Sequence, residues 1–247
     1  INELPPSLNG VYESGATVWR EGESMYNRKY VQYAGVDKTN GQALYWAKRD
    51  VLGEDGETVV GEEEYVTTDW NAAYNTNRKE TGDLLADVYG GFGTTLYWKG
   101  FDFGIQFAYQ LGGKTYDYGY QWNMHGYTSS DYGRNWHKDI RNAWTPENTD
   151  TNVPRLNSSD KYTNSSSDRW LISSNYLALN NITVGYTLPK SWTRKIGVEG
   201  VRIYFAADNV ALWSAREGLD PRHGLATSIG STYSTMRTMS GGVKFTF

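Results

Sequence analysis

The chain has 247 residues, a formal net charge of −4, an isoelectric point near 5.5, 20 Tyr, 10 Trp, 27 Gly and no Cys. A mean hydropathy of −0.65 and the lack of any apolar run of about 18 residues exclude transmembrane helices. The missing Cys excludes disulfide scaffolds and thiolate metal sites, and the acidic balance argues against nucleic-acid binding. An aromatic content of 15% is too high for a disordered tail, which leaves a Tyr-, Trp- and Gly-rich β protein.

Along the chain, Asp37-Lys38-Thr39-Asn40-Gly41 carries oxygen donors as part of a Ca²⁺ loop would. Its spacing departs from the EF-hand pattern, so the segment reads as a turn. Glu62-Glu63-Glu64 is an acidic run of the kind that lines a solvated face. The first regular alternation sets Phe92, Thr94, Leu96 and Trp98 against Gly93, Thr95, Tyr97 and Lys99. Phe101, Phe103, Ile105, Phe107, Tyr109 and Leu111 then share a face opposite Asp102, Gly104, Gln106, Ala108 and Gln110, which predicts a strand over 101–111. Only Lys99-Gly100 separates the two patterns, and this reads as a tight hairpin turn.

From Gly112 to about Arg169 no comparable alternation occurs. A structureless stretch of that length is commonly functional or disordered. Alternation resumes near Trp170, with Leu177 and Leu179 in one phase and Ile182, Val184, Tyr186 and Leu188 in the other. The phase change at Asn180-Asn181 predicts a bulge, and Pro189 ends the strand because it cannot donate to a ladder. Lys190 to Gly200 is short and basic, with Trp192, Lys195 and Ile196 spaced for a single helical turn. Val201, Ile203, Phe205 and Ala207 alternate with Arg202, Tyr204, Ala206 and Asp208. Ser214 to Thr232 is polar and irregular, and the chain closes with Gly241, Val243, Phe245 and Phe247 against Gly242, Lys244 and Thr246.

Short turns thus alternate with long loops, the connection pattern of an outer-membrane barrel. Strands of about 9–11 residues match a tilted bilayer crossing. Small and polar residues on the second face fit a wet lumen, and Tyr97, Trp98 and Trp170 near strand ends fit an interfacial girdle. The competing architecture is a soluble, secreted β-sandwich that binds carbohydrate, because sandwiches alternate too and turn the apolar face inward.

Several segments in order resemble the SusC/RagA-like TonB-dependent transporters of Bacteroidetes outer membranes. They include Glu21-Gly22-Glu23-Ser24-Met25-Tyr26, Tyr33-Ala34-Gly35-Val36-Asp37, Thr39-Asn40-Gly41, Tyr89-Gly90-Gly91-Phe92-Gly93 and Trp98-Lys99-Gly100-Phe101-Asp102. Tyr109 to Lys114, Trp144 to Thr149, Val153 to Leu156 and Tyr176 to Ile182 follow. Gly185 to Pro189, Asp208-Asn209-Val210, Gly218 to Pro221 and Val243 to Phe247 complete the set. Each tetrapeptide is weak by itself; the ordered series across nearly the whole chain is specific.

The resemblance implies an all-β fold: the C-terminal segment of a large antiparallel transmembrane β-barrel, of about 22 strands in the full protein, with long extracellular loops. Residues 1–86 would hold the end of a barrel strand and an extracellular excursion with a small hairpin at Asn40-Gly41. Residues 87–111 would be a barrel hairpin, 112–169 a long extracellular loop, and 170–247 the last three barrel strands with one loop. No plug domain or TonB box is present, and about five strands cannot close in lipid, so the chain is expected to be part of a longer transporter. The implied function is import of oligosaccharides or peptides across the outer membrane. The implied partners are the rest of the transporter, TonB acting through the plug, and a SusD-like surface lipoprotein, assembled as a dimer of such pairs.

No P-loop, nucleophile elbow or zinc-protease motif occurs, and no cofactor, metal or enzymatic activity is expected. His125, His137 and His223 lack ligand spacing, and Gly91-Phe92-Gly93 opens a strand with Leu96 where a dinucleotide fingerprint needs Gly. The ligand-binding candidates are Trp122, Tyr127, Tyr132 and Trp136 in the long loop, whose rings offer flat faces to sugars. Trp144, in its Thr-Pro-Glu-Asn context, reads as structural. Phe245 and Phe247 look like the family's barrel-assembly signal, since the last strand must pair to close the barrel.

Overall fold

The computed structural model describes residues 3–124, 135–223 and 233–247, together with the backbone of 228 and 229. In chain order the strands and helices begin with β1 (Val11–Ser14), β2 (Thr17–Arg20), β3 (Asn27–Val31), β4 (Tyr33–Val36), β5 (Ala43–Leu52) and β6 (Val59–Thr67). Helix α1 (Trp70–Thr76), β7 (Arg78–Asp83), β8 (Val88–Trp98), β9 (Phe101–Leu111), β10 (Lys114–Asp117) and α2 (Tyr118–Asn123) come next. The chain ends with β11 (Leu171–Ser173), β12 (Tyr176–Thr187), α3 (Lys190–Thr193), β13 (Gly200–Ser214), β14 (Ser228–Ile229) and β15 (Thr238–Thr246). Two compact units result, one from residues 1–84, 115–172 and 227–231, the other from 85–114, 173–226 and 232–247.

The second unit is one antiparallel sheet in the order β15-β13-β12-β9-β8. Strand β9 has the bounds that its alternation predicts. The β8–β9 turn is made by Lys99 at φ 46° and Gly100 at φ 87°. Positive φ at both central positions is the geometry whose twist matches a two-residue hairpin. The register shift between Leu179 and Asn181 places the bulge where the phase changes, and Asn209 at φ 51° accommodates it on β13.

Because side chains alternate, this register sorts the sheet into two unlike faces. Phe92, Leu96, Trp98, Phe101, Leu177, Val184, Ile203, Phe205, Trp213, Val243 and Phe245 populate one face, and all are exposed. A sandwich would bury such a face under a second sheet. The other face carries Thr95, Asp102, Gly104, Gln106, Asn181, Thr183, Arg202 and Lys244. Of the three aromatics expected at a girdle, Trp98 lies exposed on the apolar face. Tyr97 lies on the polar face opposite Asp102. Trp170 is a correction: it is 2% exposed inside the first unit, where its indole N–H donates to the Ser165 carbonyl.

On the polar face Arg202 of β13 reaches across β12 to Asp102 of β9, donating from Nε at 2.9 Å and from Nη2 to the second oxygen. It passes directly over Gly185. A Cβ there would lie 2.4 Å from Arg202 Nη2 and 2.4 Å from Asp102 Oδ1. The missing side chain is what lets a single ion pair tie three strands together.

The first unit is built on short strands and aromatic packing. Strands β1, β2, β3 and β7 form one sheet, and β4, β5 and β6 another. Val31, Ala43, Tyr45, Ala47 and Ala73 form a core ringed by Tyr33, Tyr65, Trp70, Tyr74 and Tyr162. The β4–β5 connection contains Asn40-Gly41, as a hairpin there requires, with Gly41 N–H donating to the Asp37 carbonyl. Residues 112–169 are not structureless. They contain β10, α2 and a 3₁₀ turn at Lys138–Asn142, closed on a second core of Tyr116, Met124, Ile140 and Trp170. Glu3 to Pro5 are irregular rather than extended in a sheet.

Gly185→Ala should push the Arg202 guanidinium off Asp102 and leave a partly exposed carboxylate without its ion-pair partner. The expected loss is about 0.5–1 kcal/mol of stability, measured by thermal unfolding against the parent protein.

Candidate functional site

The loop aromatics are organised by α2. Asp117 caps this helix, its carboxylate accepting the Tyr120 N–H at 2.9 Å. Gln121 faces inward, and its side-chain amide donates to the Asn164 carbonyl at 2.9 Å. Asn164 Nδ2 returns a bond to the Gln121 carbonyl at 2.7 Å, and the Tyr116 hydroxyl donates to Gln121 Oε1 at 2.8 Å. Tyr120 donates to Asp139 at 2.8 Å and packs edge-on against His137 and Trp170. With one side of the helix pinned, positions i and i+4 remain outward. They hold Tyr118 and Trp122, which are 44% and 47% exposed with ring centroids 5.5 Å apart.

Trp122 therefore sits on an exposed aromatic ledge backed by a hydrogen-bonded helix. Trp136 is 43% exposed. The neighbouring His137 N–H donates to the Asn123 carbonyl at 2.9 Å, so the backbone near Trp136 is tied to the end of the Trp122 helix. Tyr127 and Tyr132, with His125, lie outside the described residues. Tyr118 did not stand out in the sequence, although its four-residue spacing from Trp122 was a usable signal.

Trp144 is structural. Its indole N–H donates to the Lys38 carbonyl at 3.2 Å, and its ring lies on Gly41, where a Cβ would come within 2.4 Å. The Asp37 carboxylate accepts bonds from Thr39 and Asn40, which holds its pKa below the usual carboxylate range. It serves as turn chemistry. Among the described residues, no three His, Asp or Glu side chains converge on a point that could hold a metal ion. Phe245 and Phe247 have ring centroids 6.4 Å apart, and Phe247, at 87%, is far the more exposed.

The same loop is anchored by Arg155 and Asp160. Arg155 donates from Nε at 2.7 Å and from Nη2 at 2.8 Å to the two oxygens of Asp160, which is 9% exposed, and Gln42 adds a bond at 3.4 Å. The Arg155 hydrogen bonds hold the Asp160 carboxyl below its ordinary value against the opposing effect of burial.

No family profile matches the chain. It is 30% identical over 245 residues to TonB-dependent receptor P3 of Formosa agariphila, covering 93% of this chain and 23% of that protein. TonB-dependent receptor P26 of the same organism is 23% identical, with 95% and 24% covered. Among solved structures, the RagAB peptide transporter superposes with a TM-score of 0.76 at 24% identity, covering 96% of this chain and 25% of that one. The RagAB peptide importer in its open-open state gives 0.73, with 100% and 25% covered. The chain spans about a quarter of the length of the relatives it matches.

The lowered Asp160 carboxyl fixes a pH dependence. An unfolded Asp titrates near pH 4. The Asp160 contribution is complete above that value and fades as pH falls through the lower folded pKa. Asp160→Asn should therefore lower the thermal midpoint at pH 7, and the gap to the parent should close below about pH 4. A gap that stayed constant down to pH 3 would show that it does not arise from the ionised Arg155–Asp160 pair.

Proposed function

We propose that this chain, related to TonB-dependent receptors and SusC/RagA-like in sequence and fold, forms a C-terminal wall of an outer-membrane importer. The observation that carries this reading is the five-stranded sheet with a broad, largely exposed apolar face and a polar face braced by Asp102 and Arg202. A contiguous apolar surface of this kind marks a contact with lipid or protein. Eleven residues of β9 rise about 37 Å, and at a tilt of about 45° they cover roughly the 25 Å apolar band of an outer-membrane barrel. Residues 87–111 are then a barrel hairpin and 170–247 the last three barrel strands with one loop. Residues 112–169 and most of 1–86 are extracellular. The barrel has about 22 strands in the full protein, which also carries the plug.

On this reading the chain makes and breaks no covalent bonds. TonB works on the plug, a SusD-like lipoprotein covers the extracellular loops, and the pairs associate as dimers. The cargo is an oligosaccharide or a peptide, and the Tyr118–Trp122 ledge offers its rings to the C–H faces of either. The support is the rigid exposure of those rings and the relationship to TonB-dependent receptors.

Two experiments on the full-length polypeptide test the reading. Tyr118→Ala combined with Trp122→Ala should reduce uptake of labelled cargo about tenfold at unchanged outer-membrane abundance. Normal uptake removes the ledge from the cargo path, and a parent protein that stays monomeric and soluble without detergent overturns the barrel. Deleting Phe247 should lower the folded, surface-exposed fraction measured by protease shaving. A normal level would remove Phe247 from the assembly signal.

A further inference from the structure

The first unit contains a cavity of about 400 Å³, inside the range of about 300–1,000 Å³ typical of ligand pockets. Its floor is aliphatic, made of Val31 and Leu84, both almost fully buried. Its walls are ring pairs. Tyr30 and Tyr116 stack at 5.3 Å, and Trp70 and Tyr74 meet at 4.8 Å. The Trp70 N–H is already given to the Ser166 carbonyl at 2.7 Å, so that indole presents carbon to the cavity.

Three cations also line it: Arg28, Lys29 and Arg78. Glu13 serves two of them, at 3.1 Å from Lys29 and 3.3 Å from Arg78, and Glu80 is held by Arg20. Among the described residues Arg28 makes no ion pair: its Nη1 donates to the carbonyls of Met25 and Asn27 at 3.1 and 3.0 Å, and its Nε and Nη2 show no hydrogen bond to another described residue. A half-used guanidinium beside an apolar, ring-walled cavity is an arrangement for a carboxylate attached to an apolar group.

We propose that this cavity receives the C-terminal residue of a peptide, its carboxylate on Arg28 and its apolar side chain between the ring pairs above Val31 and Leu84. A uronate sugar shares the carboxylate, but its ring hydroxyls would face that aliphatic floor without hydrogen-bond partners. The cavity also connects to the ledge. Tyr116 packs against Tyr118 at 6.4 Å, and Tyr118 against Trp122 at 5.5 Å, so a row of rings leads from the exposed helix face to the pocket. A peptide anchored by its end could lie along that row. The assignment goes beyond the transport reading, since binding to purified protein needs neither TonB nor a membrane potential.

The test is calorimetric titration of the purified full-length polypeptide in detergent. The probes are Ala-Ala-Phe, its C-terminal amide and tri-galacturonic acid. The free acid should bind at least tenfold more tightly than the amide. Arg28→Gln should abolish that difference while preserving binding of the amide, Arg28→Lys should restore part of it, and Ala16→Phe, which fills the cavity, should remove binding of both peptides. Equal affinity for acid and amide, an acid preference that survives in folded Arg28→Gln, or no binding of any probe would overturn the proposal. Binding of the uronate alone would reassign the cavity to acidic glycans, and uptake of cargo in cells would stand or fall separately.

Discussion

The second unit depends on a period of two that must hold in register across five strands. Shifting one strand by one residue would move its apolar set to the polar face. The chain prevents this with local devices. Lys99-Gly100 fixes the β8–β9 hairpin, and the bulge at Asn180 and Asn209 resets the phase on two neighbouring strands together. The Arg202–Asp102 pair spans the middle strand only because Gly185 leaves room. Each device acts on backbone geometry, and together they decide which side chains share the apolar face and which share the polar one.

The first unit follows a different logic. Its strands are short, and its order comes from aromatic cores and from side chains that bond to backbone across long sequence distances. Tyr45 donates to the Tyr162 carbonyl, Trp70 to that of Ser166, and Gln121 exchanges bonds with Asn164. Every buried hydroxyl or amide that finds such a partner avoids the cost of an unsatisfied group. Ser167 Oγ is buried without a partner, an exception among the described residues. Rings that pack these cores, Tyr30, Trp70, Tyr74 and Tyr116, also supply walls of the cavity.

The strands were legible because alternation is a local property. Phe101 to Leu111 announces its faces without reference to anything else in the chain, and the Asn180-Asn181 bulge shows as a change of phase. The long loop was illegible for the opposite reason. Trp122, Trp144 and Trp170 stand in similar polar, Ser- and Asn-rich sequence, yet one is exposed, one lies on Gly41 and one is buried among Tyr116, Met124 and Ile140. Their neighbours come from residues tens of positions away, and no short-range pattern encodes those distances. Tyr118 fell between the two cases: its helical spacing to Trp122 was present, but a six-residue helix is too short to read from periodicity.

By itself the sequence determined the all-β class, the strands and their two faces, the hairpin turn and the bulge, and the ordered resemblance to SusC/RagA-like transporters. These follow from side-chain alternation and from the backbone preferences of Gly, Asn and Pro, which act within a few residues. Only the tertiary structure decided which aromatics are core and which are ledge, that Gly185 makes way for an ion pair, and that Arg28 lines a ring-walled cavity. Those properties belong to contacts between distant segments, and they exist only once burial has fixed which groups find partners.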